Sequence, residues 1–443
     1  VNNLKVNNEL ILRCLKELRK NQVKYRVYKD YYDGNHDILK TYAMNEARSN
    51  QKVVVNYFKK FINDEIAYSI GNPVSYISTE GDNEVINLID LNFSYWSKMH
   101  DQEIMKQANI FGESYELNYI NEDGDFKATV YNPLNMFVLE SGNAEKEVDL
   151  AIQVYKENMF SETEMMDVYY GNVIEHYEII DDENIKPMGK DNHIFNKPPI
   201  IVCSANPERK SMLDDIKSEN DAFNTVLSDY VNEISDFRTA LLRISGAEGL
   251  DEGKLRKMKN TGAIQLPPNA TVDYLLKNMP DTFILNSLKI LEDKIYKLAS
   301  HIDTNERLQS NLSGTALRSR MIALENKCLL MQSMLEATIK KRLKNFFYYN
   351  EIRIGKSYDY RTIKLKLTMN IPSDIGLLAD TISKLRGIAS DETLLSLLPF
   401  VDNPSVELEK RRAEQESERI DLDNISFSTN IEDYIITGDE DEQ

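Results

Sequence analysis

Between Ser211 and Arg243 the sequence holds neither glycine nor proline, and the same is true from Thr315 to Ile354. In the first stretch Leu213, Ile216, Phe223, Leu227, Tyr230, Ile234, Phe237 and Leu241 recur at steps of three and four, with Asn220 the one gap. In the second, Leu317, Met321, Leu324, Cys328, Met331, Leu335, Ile339, Leu343 and Phe346 form one seam. Such spacing keeps apolar side chains on one helical face. It predicts a helix of roughly 33 residues and another of roughly 35, each about 50 Å long. Compact domains average about 11–12 residues per helix, so two struts of this length imply an elongated chain.

A third helix is expected from about Asp281 to His301, striped by Leu285, Leu288, Leu291, Ile295 and Leu298. Between the first two struts lies a glycine-punctuated segment with a short basic helix carrying Lys254, Arg256, Lys257 and Lys259. Upstream, helices are read at Glu9–Tyr32, ending at Gly34, and over NYFKKFINDEIAYSIGNP, ending at Gly71 with Pro73 beyond. A further helix is read from Asn83 to Ile110, ending at Gly112, with Trp96 and Phe93 as core residues. Strands follow. SYELNYI and FKATVYN flank NEDGD as a hairpin with Gly124 in the bend, and NMFVLE, LAIQVY, VIEHYEII and PPIIVCS read as short strands. After Ile354 come a strand in TIKLKLTMNI, short helices in DIGLLADTISKLRGIA and DETLLSLLPFV, and a charged helix, SVELEKRRAEQESERI. The end has no basic residue from Asp421 onward and reads as an acidic disordered tail. The class is α+β, with helices first and an antiparallel sheet after.

The formal net charge is −19. Static DNA binders replace counterions with Lys and Arg along the phosphates, so this chain does not hold nucleic acid tightly over its general surface. Cys14, Cys203 and Cys328 are far apart and form no CxxC pair, which fits a reducing compartment rather than a disulfide framework. No apolar run reaches 18 residues, and no membrane span is expected. The start VNNLKVNNELILRCLKELRK is broken by charges and does not read as a signal peptide.

Catalytic signatures are missing. NEIRIGKS, Asn350 to Ser357, approaches a phosphate-binding loop but has Asn350 where glycine is needed and follows a helix rather than a strand. The five histidines make no HxxxH or HExxH pair. Asp181, Asp182 and Glu183 are the one acidic group that could suggest a metal-dependent nuclease; at a strand end such acids usually form a solvated turn. No enzyme activity, cofactor or metal is expected.

Charge reverses locally between His301 and Asn350, where eight bases stand against four acids. Here a soft polar loop, Asp303 to Ser313, joins two stiff helices and leads to Gly314. A solvated helix face with ion pairs would give the same local count.

Four separated stretches resemble the portal proteins of tailed bacteriophages, in the branch found in long-tailed phages of Gram-positive bacteria. They are YYDGNHDI (Tyr31–Ile38), IAYSIGNPVSY (Ile66–Tyr76), FGESYELNYINEDG (Phe111–Gly124) and SNLSGTALRSRMIALENK (Ser310–Lys327). Their order and spacing agree with that family over nearly the whole chain; Ser319 stands where the family often has an aromatic residue. The resemblance implies a portal fold and a ring, commonly dodecameric, at one capsid vertex. On this chain it implies a wing at 1–210, stem helices at 211–243 and 281–302, and a clip at 244–280. A tunnel loop would follow at 303–313, a long helix and strand returning to the wing at 314–373, a crown at 374–420 and the acidic tail at 421–443. Double-stranded DNA would pass through the channel during packaging and ejection. Asn305, Arg307, Gln309 and Asn311 would face the DNA. Lys254, Arg256, Lys257 and Lys259 would lie in the clip, near the terminase motor or head–tail adaptor. Arg318 and Arg320 would hold neighbouring subunits together. Major capsid and scaffolding proteins would be further partners, the virion the final location and the host cytoplasm the site of assembly. Two other readings remain open at this point: a nucleic-acid enzyme using Asp181, Asp182 and Glu183, and a non-portal helical scaffold or adaptor.

Overall fold

The computed structural model describes residues 6–44, 48–237, 241–246, 253, 256, 271–275, 281–303, 314–370, 375–398, 401, 404 and 406–416. The chain divides into two compact units. The first comprises Val1–Ile66, Glu103–Tyr119 and Lys127–Thr338; the second comprises Ala67–Gln102, Ile120–Phe126 and Ile339–Gln443.

In order the elements are α1 (Asn8–Asp33), α2 (Ile38–Thr41), α3 (Tyr57–Ser69), β1 (Ser75–Ser78), α4 (Asn83–Phe93), α5 (Ser97–Phe111), β2 (Glu113–Ile120), β3 (Phe126–Tyr131), β4 (Met136–Glu140), β5 (Val148–Tyr155), β6 (Glu164–Tyr170), β7 (Val173–Asp181), β8 (Asn184–Asn192), β9 (Ile200–Ser204), α6 (Leu213–Phe237), β10 (Leu241–Ser245), β11 (Thr271–Leu275), α7 (Asp281–Leu298), α8 (Gly314–Ile354), β12 (Ile363–Lys366), α9 (Ile375–Leu385) and α10 (Asp391–Ser396). Residues 406–416 are also helical. The fold is thus α+β, and the recorded strand registers are antiparallel.

The first unit is built on a five-stranded meander, β4-β5-β6-β7-β8, beside a three-stranded sheet, β3-β2-β9. Strand β5 shows why this region folds as it does. Its alternate residues Leu150, Ile152 and Val154 pack with Met166, Val168, Tyr177 and Ile179 against Ile11, Cys14, Leu15 and Leu18 of α1. The intervening Ala151 turns the other way, toward Tyr115, Leu117, Met136, Tyr169 and Ile200. A period of two on a strand and of three to four on a helix brings these faces together; each fully buried large side chain contributes about 1.5–3 kcal/mol. Asn7 caps α1 by accepting the Leu10 N–H, and Gly34 closes it in the left-handed conformation at φ +92°.

Gly112 joins α5 to β2 at φ +94°, and a Cβ there would stand 2.3 Å from the Arg209 carbonyl oxygen. Only glycine meets both demands.

In the second unit Phe93, Phe126 and Phe346 pack ring to ring, with centroids 4.9–6.1 Å apart. Beside them Arg342 donates to Asp101 at 2.8 Å with both side chains inaccessible to solvent, and its guanidinium lies 5.6 Å from the Trp96 ring. Trp96 is half-buried in this cluster, as a core residue.

Several expected elements take different bounds. The helix read from Asn83 to Ile110 is two, α4 and α5. The Trp96 indole donates to the Asn92 carbonyl at 2.7 Å, and the Trp96 N–H closes a tight turn onto Phe93 O. The first strut ends at Phe237 rather than Arg243: Leu241, Leu242 and Arg243 pair instead with Leu275, Tyr274 and Asp273. Strand pairing with residues some thirty positions away overrides helical spacing there. β6 and β8 were not expected. β8 is an exposed edge strand containing Pro187 and Gly189, with no apolar alternation to announce it. The second strut is continuous over 41 residues, and every seam residue from Leu324 to Phe346 is buried.

Candidate functional site

The loop between α7 and α8 lies outside the described residues from 304 to 313, but both of its shoulders are described, in the first unit. α7 ends in a closed turn. The Ser300 N–H donates to Lys297 O at 3.1 Å and the His301 N–H to Tyr296 O at 2.9 Å, with Ser300 left-handed at φ +59°. This pair of bonds is the Schellman arrangement, made here with serine at the position glycine usually takes. It reverses the chain so that the His301 imidazole meets Glu65 of α3, Nε2 to Oε1 at 2.8 Å. Lys327, in α8, reaches the same Oε1 at 2.6 Å and donates to the Ala299 carbonyl at 3.1 Å. Glu65 therefore ties the end of α7 to the body of α8, several turns beyond Gly314. Its side chain is fully buried, that of His301 is 3% exposed and that of Lys327 28%.

The spacing of α3 builds this anchor. Tyr57, Phe61 and Glu65 follow one another at i, i+4 and i+8 on one face. Phe61 stacks on His301 with centroids 4.3 Å apart and meets Tyr296 edge-on at 5.1 Å. Tyr57 donates to Glu292 of α7 at 2.9 Å. Next to Lys327, the buried Cys328 thiol is pushed up to about 12, first by burial and then by the Glu65 charge.

A second polar construction runs along α6. Asn220, Asn224, Ser228 and Asn232 follow at intervals of four and are all buried, with the half-buried Asp236 one step further. The extended segment Ser49–Val55 lies against them. Asn224 Oδ1 accepts the Val55 N–H at 2.8 Å while Asn220 donates to Val55 O at 2.9 Å. Ser228 accepts the Val53 N–H at 2.9 Å. Asn232 accepts the Gln51 N–H at 2.7 Å and donates to Gln51 O at 2.9 Å, and Asp236 accepts the Ser49 N–H at 2.9 Å. Four helical residues rise about 6.0 Å and two extended residues about 6.6 Å, so the two spacings nearly match. The helix supplies with side chains what a neighbouring strand would supply with its backbone. The gap noted at Asn220 is the top of this row. Ile234, by contrast, is 43% exposed, so the apolar stripe first read along α6 is not what buries its second half.

Asn305, Arg307, Gln309, Asn311, Lys254, Lys257 and Lys259 lie outside the described residues. Arg256 is a helical, exposed position, and Arg318 and Arg320 fall in the first turns of α8. The basic excess around α8 has structural uses that the sequence did not disclose. Lys327 pairs with Glu65, Arg342 with Asp101, and Lys340 donates to the Ile363 carbonyl.

Asp181, Asp182 and Glu183 form the β7–β8 turn. Asp181 accepts from the Asn184 side chain at 2.8 and 2.9 Å and from the Glu183 N–H at 2.8 Å, which holds its pKa below the ordinary value. Asp182 pairs with Arg19 and Glu183 with Lys16. Each acid is committed to a different cation or turn bond, the opposite of convergence on one ion. Among the described residues no group of three or more His, Cys, Asp or Glu is placed to hold a metal, and no helix is long and apolar enough to cross a membrane. In NEIRIGKS, Gly355 ends α8 at φ +69°, donating to Glu351 O.

Comparison with known proteins agrees with the resemblance. The family model described as phage portal protein, SPP1 Gp6-like, matches residues 12–421. The portal protein of Bacillus phage SPP1 is 24% identical over 410 residues, covering 85% of this chain and 78% of its own length. The portal protein of Clostridium phage phiCD119 is 22% identical over 421 residues, covering 85% and 89%. Among solved structures, a chain from the neck of an empty GTA particle computed with C6 symmetry aligns with a TM-score of 0.47 at 11% identity, over 76% of this chain and 88% of its own. This chain belongs to the phage portal protein family of the SPP1 Gp6-like type.

Proposed function

We propose that the chain assembles into a closed ring, commonly of twelve copies, at one vertex of a phage capsid, and that double-stranded DNA passes through its centre during packaging and ejection. Family membership supports the class. The observation that supports the assignment to this chain's own residues is the Glu65 anchor, which ties His301, just before residues 304–313, and Lys327, in the body of α8, to one buried carboxylate. A loop that touches moving DNA needs a firm base, and the His301 contact with Glu65 fits that need. Asn305, Arg307, Gln309 and Asn311 are proposed as its DNA-facing residues. DNA carries one charge per about 1.7 Å of axis, so a chain of net charge −19 with a few polar or basic loop contacts lets it slide rather than stick.

In the same reading α6 and α7 are stem helices. The segment between them, with Lys254, Arg256, Lys257 and Lys259, docks the terminase motor and head–tail adaptor. Arg318 and Arg320 bridge neighbouring copies, and capsid and scaffolding proteins surround the wing. The protein is structural, not catalytic. It assembles in the host cytoplasm and ends in the virion. Negative-stain microscopy of the purified chain tests the ring directly: closed rings with a central hole are expected, and rods or monomers under assembly conditions would overturn it. Substitution of the four loop residues in assembled phage is expected to change packaging or DNA retention; unchanged values would remove the loop assignment alone.

A further inference from the structure

Helix α4 carries more apolar surface than its core uses. Val85, Ile86, Ile89 and Phe93 are buried. Leu88 and Leu91, with Tyr95 just beyond the helix, follow at steps of three and four on another side, and Leu91 and Tyr95 are 76% and 64% exposed. They line a groove of about 460 Å³ with Ile354, 48% exposed at the end of α8, and with one charge of each sign, Asp125 and Arg353. The Arg353 guanidinium donates to the Gly124 carbonyl at 3.1 Å and lies 5.9 Å from the Tyr349 ring. The amide N–H groups of Asn92 and Asn350, also in the lining, donate within their own helices, to Leu88 O and Phe346 O. What the groove offers is therefore mainly apolar, and a contiguous exposed apolar surface marks a docking site.

Beyond 416 the chain lies outside the described residues, and its sequence holds a segment of matching character. Residues 424–431, NISFSTNI, are an uncharged run of eight between Asp423 and Glu432. Ile425, Phe427, Thr429 and Ile431 alternate with Asn424, Ser426, Ser428 and Asn430. An extended backbone would put every apolar or β-branched residue on one face and every small polar one on the other. The described chain ends at 416 in the same unit as the groove. From there to Ile425 the chain can span about 30 Å when extended, more than twice the radius of gyration of about 13 Å for a unit of about 100 residues.

We propose that residues 424–431 dock in this groove of their own chain as an extended segment, with Ile425 and Phe427 against Leu91, Tyr95 and Ile354. Three arguments select this occupant. A tethered segment has an effective concentration near the millimolar range, ahead of any free partner. The segment is uncharged and the groove's two charges are opposite, so it enters without the like-charge repulsion that a surface of this acidic chain would meet, while Asp421, Asp423, Glu432 and Asp433 stay outside in water. An uncharged, proline-free run of strand-forming residues is also an aggregation hazard when bare, and the groove covers it. The inference concerns a single chain and does not rest on the ring.

Photo-cross-linking in the full chain tests this, with benzoylphenylalanine in place of Phe427 and the protein kept dilute. The expected products join position 427 to Leu91, Tyr95 or Ile354 within one molecule, so a mixture of unlabelled and heavy-isotope-labelled chains gives no mixed pairs. Leu91→Asp changes an exposed residue outside the core. It is expected to lower the cross-link yield at least about tenfold, equivalent to about 1.4 kcal/mol, with the unfolding curve unchanged. Ile425→Asp is expected to do the same from the other side of the contact. Mixed pairs would put a second copy's segment in the groove and overturn the proposal. Cross-links that fall elsewhere, or a yield that Leu91→Asp leaves unchanged, would overturn it too. Failure of ring assembly does not touch this inference, and loss of the cross-links does not touch the ring.

Discussion

Replacing Glu65 with glutamine tests the anchor beneath the loop at its centre. The change keeps the volume and one carbonyl acceptor but removes the charge shared by His301 and Lys327. Breaking one partner out of a buried ion pair costs about 3–5 kcal/mol. Lys327 is 28% exposed and keeps the Ala299 carbonyl, which softens the loss, so Glu65→Gln is expected to cost about 2–4 kcal/mol. Lys327→Met is expected to cost about as much or more, because it takes an ammonium away from a fully buried carboxylate. The two share one interaction, so the double substitution should cost less than the sum by about 1–3 kcal/mol. With two units in the chain, a single global transition is a poor readout. Hydrogen exchange at the Ser300 and His301 amides, which close the end of α7, measures the local opening free energy instead. Simple additivity of the two substitutions, or a Glu65→Gln change below about 0.5 kcal/mol, would refute the anchor.

Three further outcomes follow from individual contacts. Asp101→Asn removes a carboxylate charge paired with the inaccessible Arg342 guanidinium and should destabilise the second unit by about 3–5 kcal/mol, whereas Asp359→Asn, against the exposed Arg361, should leave denaturation curves unchanged. His176 is partly buried, which opposes its charge, but hydrogen bonds and charge from Asp167 and Asp191 outweigh this and raise its pKa. A raised folded value stabilises below the unfolded pKa of about 6.5 and is lost as pH rises through the folded value. The stability gap between wild type and His176→Gln, followed by denaturant titration, should therefore be largest near about pH 5.5 and shrink toward about pH 8.5; a gap that widens with pH would contradict the assignment. The three thiols are buried, and burial pushes Cys14 up to about 11 and Cys328 to about 12. An aromatic disulfide reagent at neutral pH should label none of them until the chain unfolds, and rapid native labelling would show that the packing is wrong.

The long helix α8 was legible because its seam obeys one rule from end to end. The hairpin at Gly124 was legible because a turn needing positive φ (+79° here) names its residue. Where the sequence misled, a distant partner had decided the matter. Leu241 and Leu242 continue the helical spacing of α6, yet pair as a strand with residues 271–275. Phe93 and Trp96 sustain an apolar rhythm across a break that the indole's own hydrogen bond to Asn92 helps to make. Glu65 sits within the apolar face that Phe58, Phe61 and Ile62 define, and in a single sequence a carboxylate there reads as a fault. Asn220 reads as a gap for the same reason. His301 and Lys327 were visible only as a histidine without a metal-ligand spacing and a charge in a tally. Polar groups inside a core acquire meaning from what they meet, and what they meet lies tens to hundreds of positions away.

The row on α6 also bears on which residues are free to drift. It grips residues 49–55 by main-chain atoms that every amino acid except proline possesses. The gripped segment can therefore exchange side chains over generations with little thermodynamic consequence, provided the inward positions avoid proline. The burden falls on the helix, where a lost amide at position 224 or 232 strands a donor that no substitution in the segment can rescue. Inheritance here is lopsided: one partner is held to its letters and the other only to its length.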